Sequence, residues 1–256
     1  MKPLLEVNNL TKTFRERESD IFTAVDQISF RLYPHETLGI VGESGSGKST
    51  VARAVARLIP VSFGEIFLEG EDITRAKGRH LRRVYQKMQM VFQSPADSFD
   101  PRRTLGYSIG ESLRNSGMSK KEAGEQVRRL LHQCGLSGAM ADRYPHEVSG
   151  GQCQRAAIAR ALAIRPKLLI CDEATSALDM TVQKQILELL RDLKGKYGMA
   201  YLFICHDLAL VQEFCDRVLV MHGGAIVEEG TANEVIKNPK ASETKRVVEA
   251  ASYFTN

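Results

Sequence analysis

Nine consecutive residues, Gly42-Glu43-Ser44-Gly45-Ser46-Gly47-Lys48-Ser49-Thr50, constrain this chain more than any other stretch. They fit the spacing GxxxxGK[ST]. They lie between a buried-type apolar run, Thr37-Leu38-Gly39-Ile40-Val41, and a helical pattern over 48–58 carried by Val51, Val55 and Leu58. A strand feeding a glycine turn and then a helix is a phosphate-binding arrangement. Glycines let successive backbone N–H groups curl around phosphate oxygens, and the helix N-terminus adds a positive end. In that geometry Lys48 reaches β- and γ-phosphates, and the Ser49 hydroxyl ligates Mg²⁺. The plain alternative, a glycine turn with a solvated lysine, leaves the flanking strand and helix without a purpose.

The rest of the chain supplies a frame for this turn. Strand signals recur at 65–68, 167–171 and 200–205, with helical patterns over 181–194 and about 208–215, and a last β pair at 217–221 and 225–227. Between about Ser108 and Gly138 the pattern is helical (Ile109, Leu113, Val127, Leu130, Leu131). Strand–helix alternation on both sides of a helical insert argues an α/β fold with a mainly parallel core sheet. The first 70 or so residues are richer in strand and add an antiparallel layer. There, 4–10 reads as a short strand, 12–20 as a charged turn or loop, and 21–33 as strands separated by a turn near Asp26-Gln27.

Two further stretches carry chemistry. Leu168-Leu169-Ile170-Cys171 is an apolar strand ending in Asp172-Glu173. Beside a phosphate loop, Asp172 would hold Mg²⁺ and Glu173 would polarise an attacking water; alone, the same pair would be a helix cap. Ser149-Gly150-Gly151-Gln152 opens a helix over Cys153–Ala163, a second anion-binding device or an ordinary N-cap. Two phosphate-binding ends in one chain suit a nucleotide shared between two chains.

The run Val148-Ser149-Gly150-Gly151-Gln152-Cys153-Gln154-Arg155 resembles the signature motif of ATP-binding cassette (ABC) ATPases, which is hardly seen outside that family. The phosphate loop and the Asp172-Glu173 strand resemble its Walker A and Walker B motifs, and the likeness covers about residues 4 to 235. It implies a P-loop NTPase (RecA-like) core with an antiparallel β subdomain and a helical insert carrying the signature. A single domain is expected over 4–250, with core segments about 1–92 and 160–235, an insert about 94–159, and a short tail over 236–256. The resemblance also implies Gln93 as the Q-loop glutamine that senses Mg²⁺ and the γ-phosphate. Ser176-Ala177-Leu178-Asp179 matches the D-loop crossing to a partner chain, and His206 the switch histidine that orients Glu173 and water. Phe14 is the candidate aromatic for stacking on adenine, with Phe22 as its competitor.

The segments Gln93–Arg102 and Ser176–Gln183 resemble those of importers of oligopeptides, dipeptides and nickel. The expected function is therefore the ATP-hydrolysing subunit of a prokaryotic importer at the cytoplasmic face of the inner membrane. Its partners would be a second cassette joined head-to-tail, two integral membrane permease subunits and, indirectly, an extracytoplasmic solute-binding protein. A soluble ABC ATPase acting on nucleic acid or ribosomes is the alternative; the zinc modules, long coiled coils and second cassette usual there are not seen. The subfamily's usual C-terminal His-Pro-Tyr-Thr is replaced by Ala241-Ser242-Glu243-Thr244, and no cysteine-rich cluster-binding tail is seen.

Composition fits this reading. A net charge of +4 over 256 residues is too mild to diagnose nucleic-acid binding. No stretch approaches the roughly 20 uninterrupted apolar residues of a membrane span, and an acid at Glu6 argues against a signal peptide. Five cysteines without a CxxC pair suit a reducing compartment and core positions. The basic run Lys77, Arg79, His80, Arg82, Arg83 reads as a solvated helix face. Phe99, in a stretch stiffened by Pro95 and Pro101, either packs inward or forms a wall gripping a short cytoplasmic permease helix.

Overall fold

The computed structural model describes residues 1–15, 21–174 and 178–252. The parallel core comes from β3 (Thr37–Gly42), β6 (Met88–Val91), β7 (Leu168–Asp172), β8 (Ala200–Ile204) and β9 (Arg217–His222), closed by antiparallel β10 (Ala225–Thr231). The order is β10-β9-β3-β8-β7-β6. Every residue of β3, β7 and β8 is buried, as expected of parallel strands covered on both faces.

Alternation along these strands sorts two cores. On one face Leu38, Ile40, Leu168, Ile170, Leu202 and Ile204 pack with α1 (Lys48–Val55) and the antiparallel layer. That layer is ordered β2-β1-β4-β5, from β1 (Leu5–Arg15), β2 (Ile21–Leu32), β4 (Phe63–Leu68) and β5 (Glu71–Asp72). On the other face Leu169, Cys171, Tyr201 and Phe203 pack with the helical insert and with α6 (Gly150–Leu162), α7 (Met180–Tyr197) and α8 (Leu208–Phe214). The insert contributes α3 (Leu105–Ile109), α4 (Glu111–Asn115) and α5 (Lys120–Gln133), the last started by a Ser119/Glu122 capping box.

The sheet plan matches expectation, with local differences. Instead of turning at Asp26-Gln27, β2 runs straight through; Gln27 adopts φ 47° in a register shift, and its N–H donates to Thr11 Oγ1. A bulge absorbs the extra residue where a turn was expected. Residues 12–15, expected in a turn or loop, are strand instead, because β1 pairs with β2 out to Arg15↔Ile21; residues 16–20 lie outside the described residues. The basic run forms α2 (Gly78–Lys87), which buries only Val84. Two helices not foreseen close the chain, α9 (Ala232–Lys237) and α10 (Ser242–Ser252). Glu228 on β10 anchors the approach to α10 by accepting from the N–H groups of Lys240 and Ala241.

All five cysteines are buried. Burial pushes the Cys134, Cys171 and Cys205 thiols up to about 12, which makes them inert core residues. Phe99 packs inward at 4% exposure, so the gripping-wall alternative for that side chain is excluded.

Candidate functional site

The phosphate loop leaves the buried end of β3 and enters α1 with no side-chain cap. Its N-cap is Gly47 at φ 100°, where an added Cβ would lie 2.3 Å from the Ala24 carbonyl oxygen. Only glycine fits that left-handed turn and that approach. The first-turn N–H groups of α1 therefore face the loop without intrahelical acceptors.

Lys48 is 5% exposed. Its ammonium bridges its own loop, donating to the carbonyls of Gly42 (2.8 Å) and Glu43 (2.7 Å). Burial lowers its pKa, opposed by the acids Glu173 and Asp172. Ser49 Oγ donates to Asp172 Oδ1 at 2.7 Å, joining the phosphate loop to the end of β7. Asp172 is 2% exposed. Burial raises its pKa, opposed by the Ser49 hydrogen bond and by Arg53, whose Nε lies 4.0 Å from Oδ2.

Glu173 follows in the left-handed region at φ 48°, its N–H donating to the Ile204 carbonyl. Strain of this kind, of order 1–3 kcal/mol, persists where surrounding structure holds it. Gln93 Nε2 donates to Glu173 Oε2 at 2.7 Å, and His206 Nδ1 lies 4.0 Å from Oε1. A carboxylate so flanked can accept a proton from a water held against it.

A cavity of about 450 Å³ opens in front of these groups, lined by Phe14, Phe22, Ala24, Ser44, Gly45, Gly47, Lys48, Ser49, Thr50, Gln93 and Glu173. Phe14 and Phe22 are direct cross-strand partners on β1 and β2, and both are part-exposed on this cavity. The two candidate aromatics thus stand side by side. Gly42, Glu43 and Ser46 complete the loop behind the cavity, with Ser46 N–H donating to the Glu43 carbonyl.

No three His, Cys, Asp or Glu side chains among the described residues cluster to hold a metal. Mg²⁺ does not need such a cage; one or two protein oxygens with phosphates and water suffice. Ser49 Oγ and Asp172 Oδ1, already in contact, are hard oxygen donors of that type, so the residues fit the ion.

The signature end is built differently. Ser149 caps α6 in a reciprocal box: its Oγ accepts from Gln152 N–H (3.3 Å) and Gln152 Oε1 accepts from Ser149 N–H (3.0 Å). Gly151 packs against Val182 of α7, where an added Cβ would come within 2.8 Å of a methyl. Asp179 caps α7, Oδ1 accepting from Val182 N–H. Ser149, Gly150, Gly151, Gln152 and Asp179 do not line the cavity of the phosphate loop. Ser176 and Ala177 of the expected D-loop lie outside the described residues. Sequence reasoning missed two contributors, Ala24 in the cavity wall and Arg53 beside Asp172. Arg53 follows Ser49 by one helical turn, a spacing that could have drawn attention to it.

Known proteins resemble this chain along most of its length. The ABC transporter family profile matches residues 25–176. The glutathione import ATP-binding protein GsiA of Salmonella typhimurium is 47% identical over 257 residues; the match takes in 97% of this chain and 41% of GsiA, so the chain spans under half of that relative. The oligopeptide transport ATP-binding protein OppF of the same organism is 44% identical over 97% of this chain and 78% of OppF. The solved dimeric ATP-binding cassette MJ0796, bound to ADP and Pi, superposes with a TM-score of 0.82 at 28% identity, covering 89% of this chain and 98% of that one. This chain belongs to the ABC transporter family.

Proposed function

We propose that the chain is the ATP-hydrolysing subunit of a prokaryotic importer of peptides or related small solutes, nickel among them, working at the cytoplasmic face of the cell membrane. The observation that carries this reading is the convergence of Gln93 and His206 on Glu173, next to the contact between Ser49 and Asp172. The glycine loop and Lys48 bind the phosphates, Lys48 exchanging its two loop carbonyls for phosphate oxygens. Phe14 and Phe22 offer the adenine an apolar face. Mg²⁺, held by Ser49, Asp172 and the Gln93 amide oxygen, would neutralise charge on the β- and γ-phosphate oxygens. Glu173 takes the proton of the attacking water, and His206 orients both.

The second nucleotide-facing surface, Ser149–Gln152 with Asp179, completes the site of another cassette in a head-to-tail dimer. No helix among the described residues is long and apolar enough to cross a membrane. In this reading two permease subunits carry the solute across the membrane, supplied from outside by a solute-binding protein. The net charge of +4 gives no reason to expect nucleic acid as a partner.

The permease contact falls in the cleft between core and insert. There a cavity of about 390 Å³ is lined by Tyr85, Gln89 and Phe92 on one wall and Ser112, Asn115 and Arg160 on the other. Ser112 Oγ is buried there without a hydrogen-bond partner. The cleft borders the strand that ends just before Gln93, so a helix seated in it would feel movement there.

Filling the cleft tests this assignment. Asn115→Trp should leave phosphate release by the purified chain within about twofold, since Asn115 is exposed and does not line the cavity of the phosphate loop. Copurification with the membrane subunits and solute uptake should fail. Unchanged assembly and uptake would place the contact elsewhere, and a parent chain that releases no phosphate from ATP would overturn the ATPase reading itself.

A further inference from the structure

Residues 73–96 hold six Lys and Arg and no acid, so this stretch alone is more positive than the whole chain, whose net charge is +4. The fold uses only part of that charge. On α2, positions 80, 84 and 87 share one face. His80 Nε2 lies 3.0 Å from Glu71 Oε1, Val84 is buried, and Lys87 Nζ pairs with Glu69 at 3.0 Å and Glu71 at 3.6 Å. That face holds the helix to the β4–β5 hairpin. Arg79, Arg82, Arg83 and Gln86 form the opposite face, and all four are exposed, as are Arg75 and Lys77 just before the helix. None of these five cations makes an ion pair among the described residues. Arg79 and Arg83 stand four residues apart, a like-charge spacing that weakens a helix. The outer charge therefore costs the fold a little and returns nothing to it.

This face runs into the cleft assigned above to the permease helix. Beside that cleft lies a further cavity of about 440 Å³, lined in part by Arg82, Gln86, Gln89, Ser112, Asn115 and Ser116, with no acid in its lining. Gln89, Ser112 and Asn115 belong to both cavities. A guanidinium among amide and hydroxyl groups, with no carboxylate beside it, suits a phosphate diester.

We propose that the outer face of α2, with Arg82 at the mouth of this cavity, docks on anionic phospholipid headgroups beside the permease. The inference rests on the membrane-bound importer reading above. A permease helix seated in the cleft comes from the membrane, so the α2 rim of the cleft turns toward the bilayer surface. The cytoplasmic leaflet carries a negative surface potential that attracts Lys and Arg within a Debye length. Its charge complements the face that the fold leaves unpaired. Position favours headgroup phosphate over nucleic acid: the face adjoins the cleft that meets the permease, where the bilayer is the nearest polyanion.

Flotation of the purified full chain with vesicles tests this, using phosphatidylcholine alone and phosphatidylcholine with about one-third phosphatidylglycerol. The parent should bind the anionic mixture at low salt, release it in about 0.5 M NaCl, and ignore phosphatidylcholine alone. Arg79→Gln/Arg82→Gln/Arg83→Gln should weaken binding by about a hundredfold, each cation near such a surface contributing about a fivefold step. Lys2→Gln/Lys120→Gln/Lys121→Gln removes the same charge from exposed positions elsewhere and should stay within about threefold of the parent. Equal loss in the two variants overturns the proposal, since net charge alone would then explain the binding. A parent that ignores the anionic mixture, or binds both vesicle types alike, overturns it too. So does a parent that binds a DNA duplex but not the anionic vesicles at the same salt, which assigns the face to nucleic acid. Phosphate release from ATP, measured without vesicles, should agree within about twofold among the three chains. Failed flotation by a parent that releases phosphate removes the lipid contact alone, whereas a parent inactive toward ATP defeats the ATPase reading. If the α2 triple variant does not fold, Arg82→Gln/Arg83→Gln is read by the same criteria, with a loss of about twenty-fivefold.

Discussion

Two helices in this protein start on glycine-rich runs, and their N-termini are finished in opposite ways. At α1 the cap is a bare glycine with no side-chain acceptor. At α6 a complete capping box ties Ser149 and Gln152 together. The bare end leaves its donors for a ligand and sits in a cavity with Lys48, Gln93 and Glu173. At the boxed end the N–H groups of Ser149 and Gln152 are satisfied from within. It is therefore stable without nucleotide, and it lies outside that cavity. An unsatisfied helix start costs stability but binds anions readily, whereas a capped one stabilises its helix by roughly 1 kcal/mol. The first end is built to bind and the second to be presented.

The largest expected effect falls on the bare end. Lys48→Ala removes the cation that meets the phosphates and should lower phosphate release by about a thousandfold. It should change Tm little, since the Lys48 ammonium hydrogen-bonds to its own loop. Steady turnover by that variant would break the comparison at its root.

Next is Glu173→Gln, which keeps the shape and removes the base. Hydrolysis should fall by about a hundredfold or more while ATP still binds, so the head-to-tail dimer should accumulate. Gel filtration with ATP and the cognate second cassette is the measurement, and a purely monomeric variant would break the two-ended model.

Ser149→Ala sharpens the contrast from the other side. Loss of the box should cost about 1 kcal/mol in denaturant unfolding, the opposite of the expectation for Lys48→Ala. ATP binding by the monomer should be unchanged, as measured by titration of a fluorescent ATP analogue.

The smallest effect concerns the paired aromatics. Phe14→Ala and Phe22→Ala should each raise KM for ATP by about three- to tenfold, the scale of a base–aromatic contact. If only one of them changes KM, that ring alone stacks on adenine.

Much of this contrast was legible in the chain itself. The phosphate loop, the Asp172-Glu173 strand end and the Ser149 helix start are contiguous runs whose geometry depends on near neighbours, so their types and order suffice. The parallel core was legible because β3, β7 and β8 are unbroken apolar runs, the mark of strands buried on both faces. The aromatic candidates were found but not their relation. Phe14 and Phe22 become neighbours only through the register of β1 against β2, which bulges shift more than once, and side-chain pattern alone does not encode a bulge.

The sequence by itself determined the phosphate loop, the acidic strand end and the signature, because each is a local device built from adjacent backbone and a short spacing. Only the tertiary structure decided which distant groups meet. Gln93 reaches Glu173 across 80 residues of chain, and Arg160 reaches Ser98 across 62. Phe99 could be read as wall or as core until that guanidinium was seen over its ring. The physical reason is that local propensity follows from a residue and its neighbours, whereas a pairing between segments depends on strand order, register and the packing of whole layers. Those are settled by burial of the two cores together, not by any single run of residues.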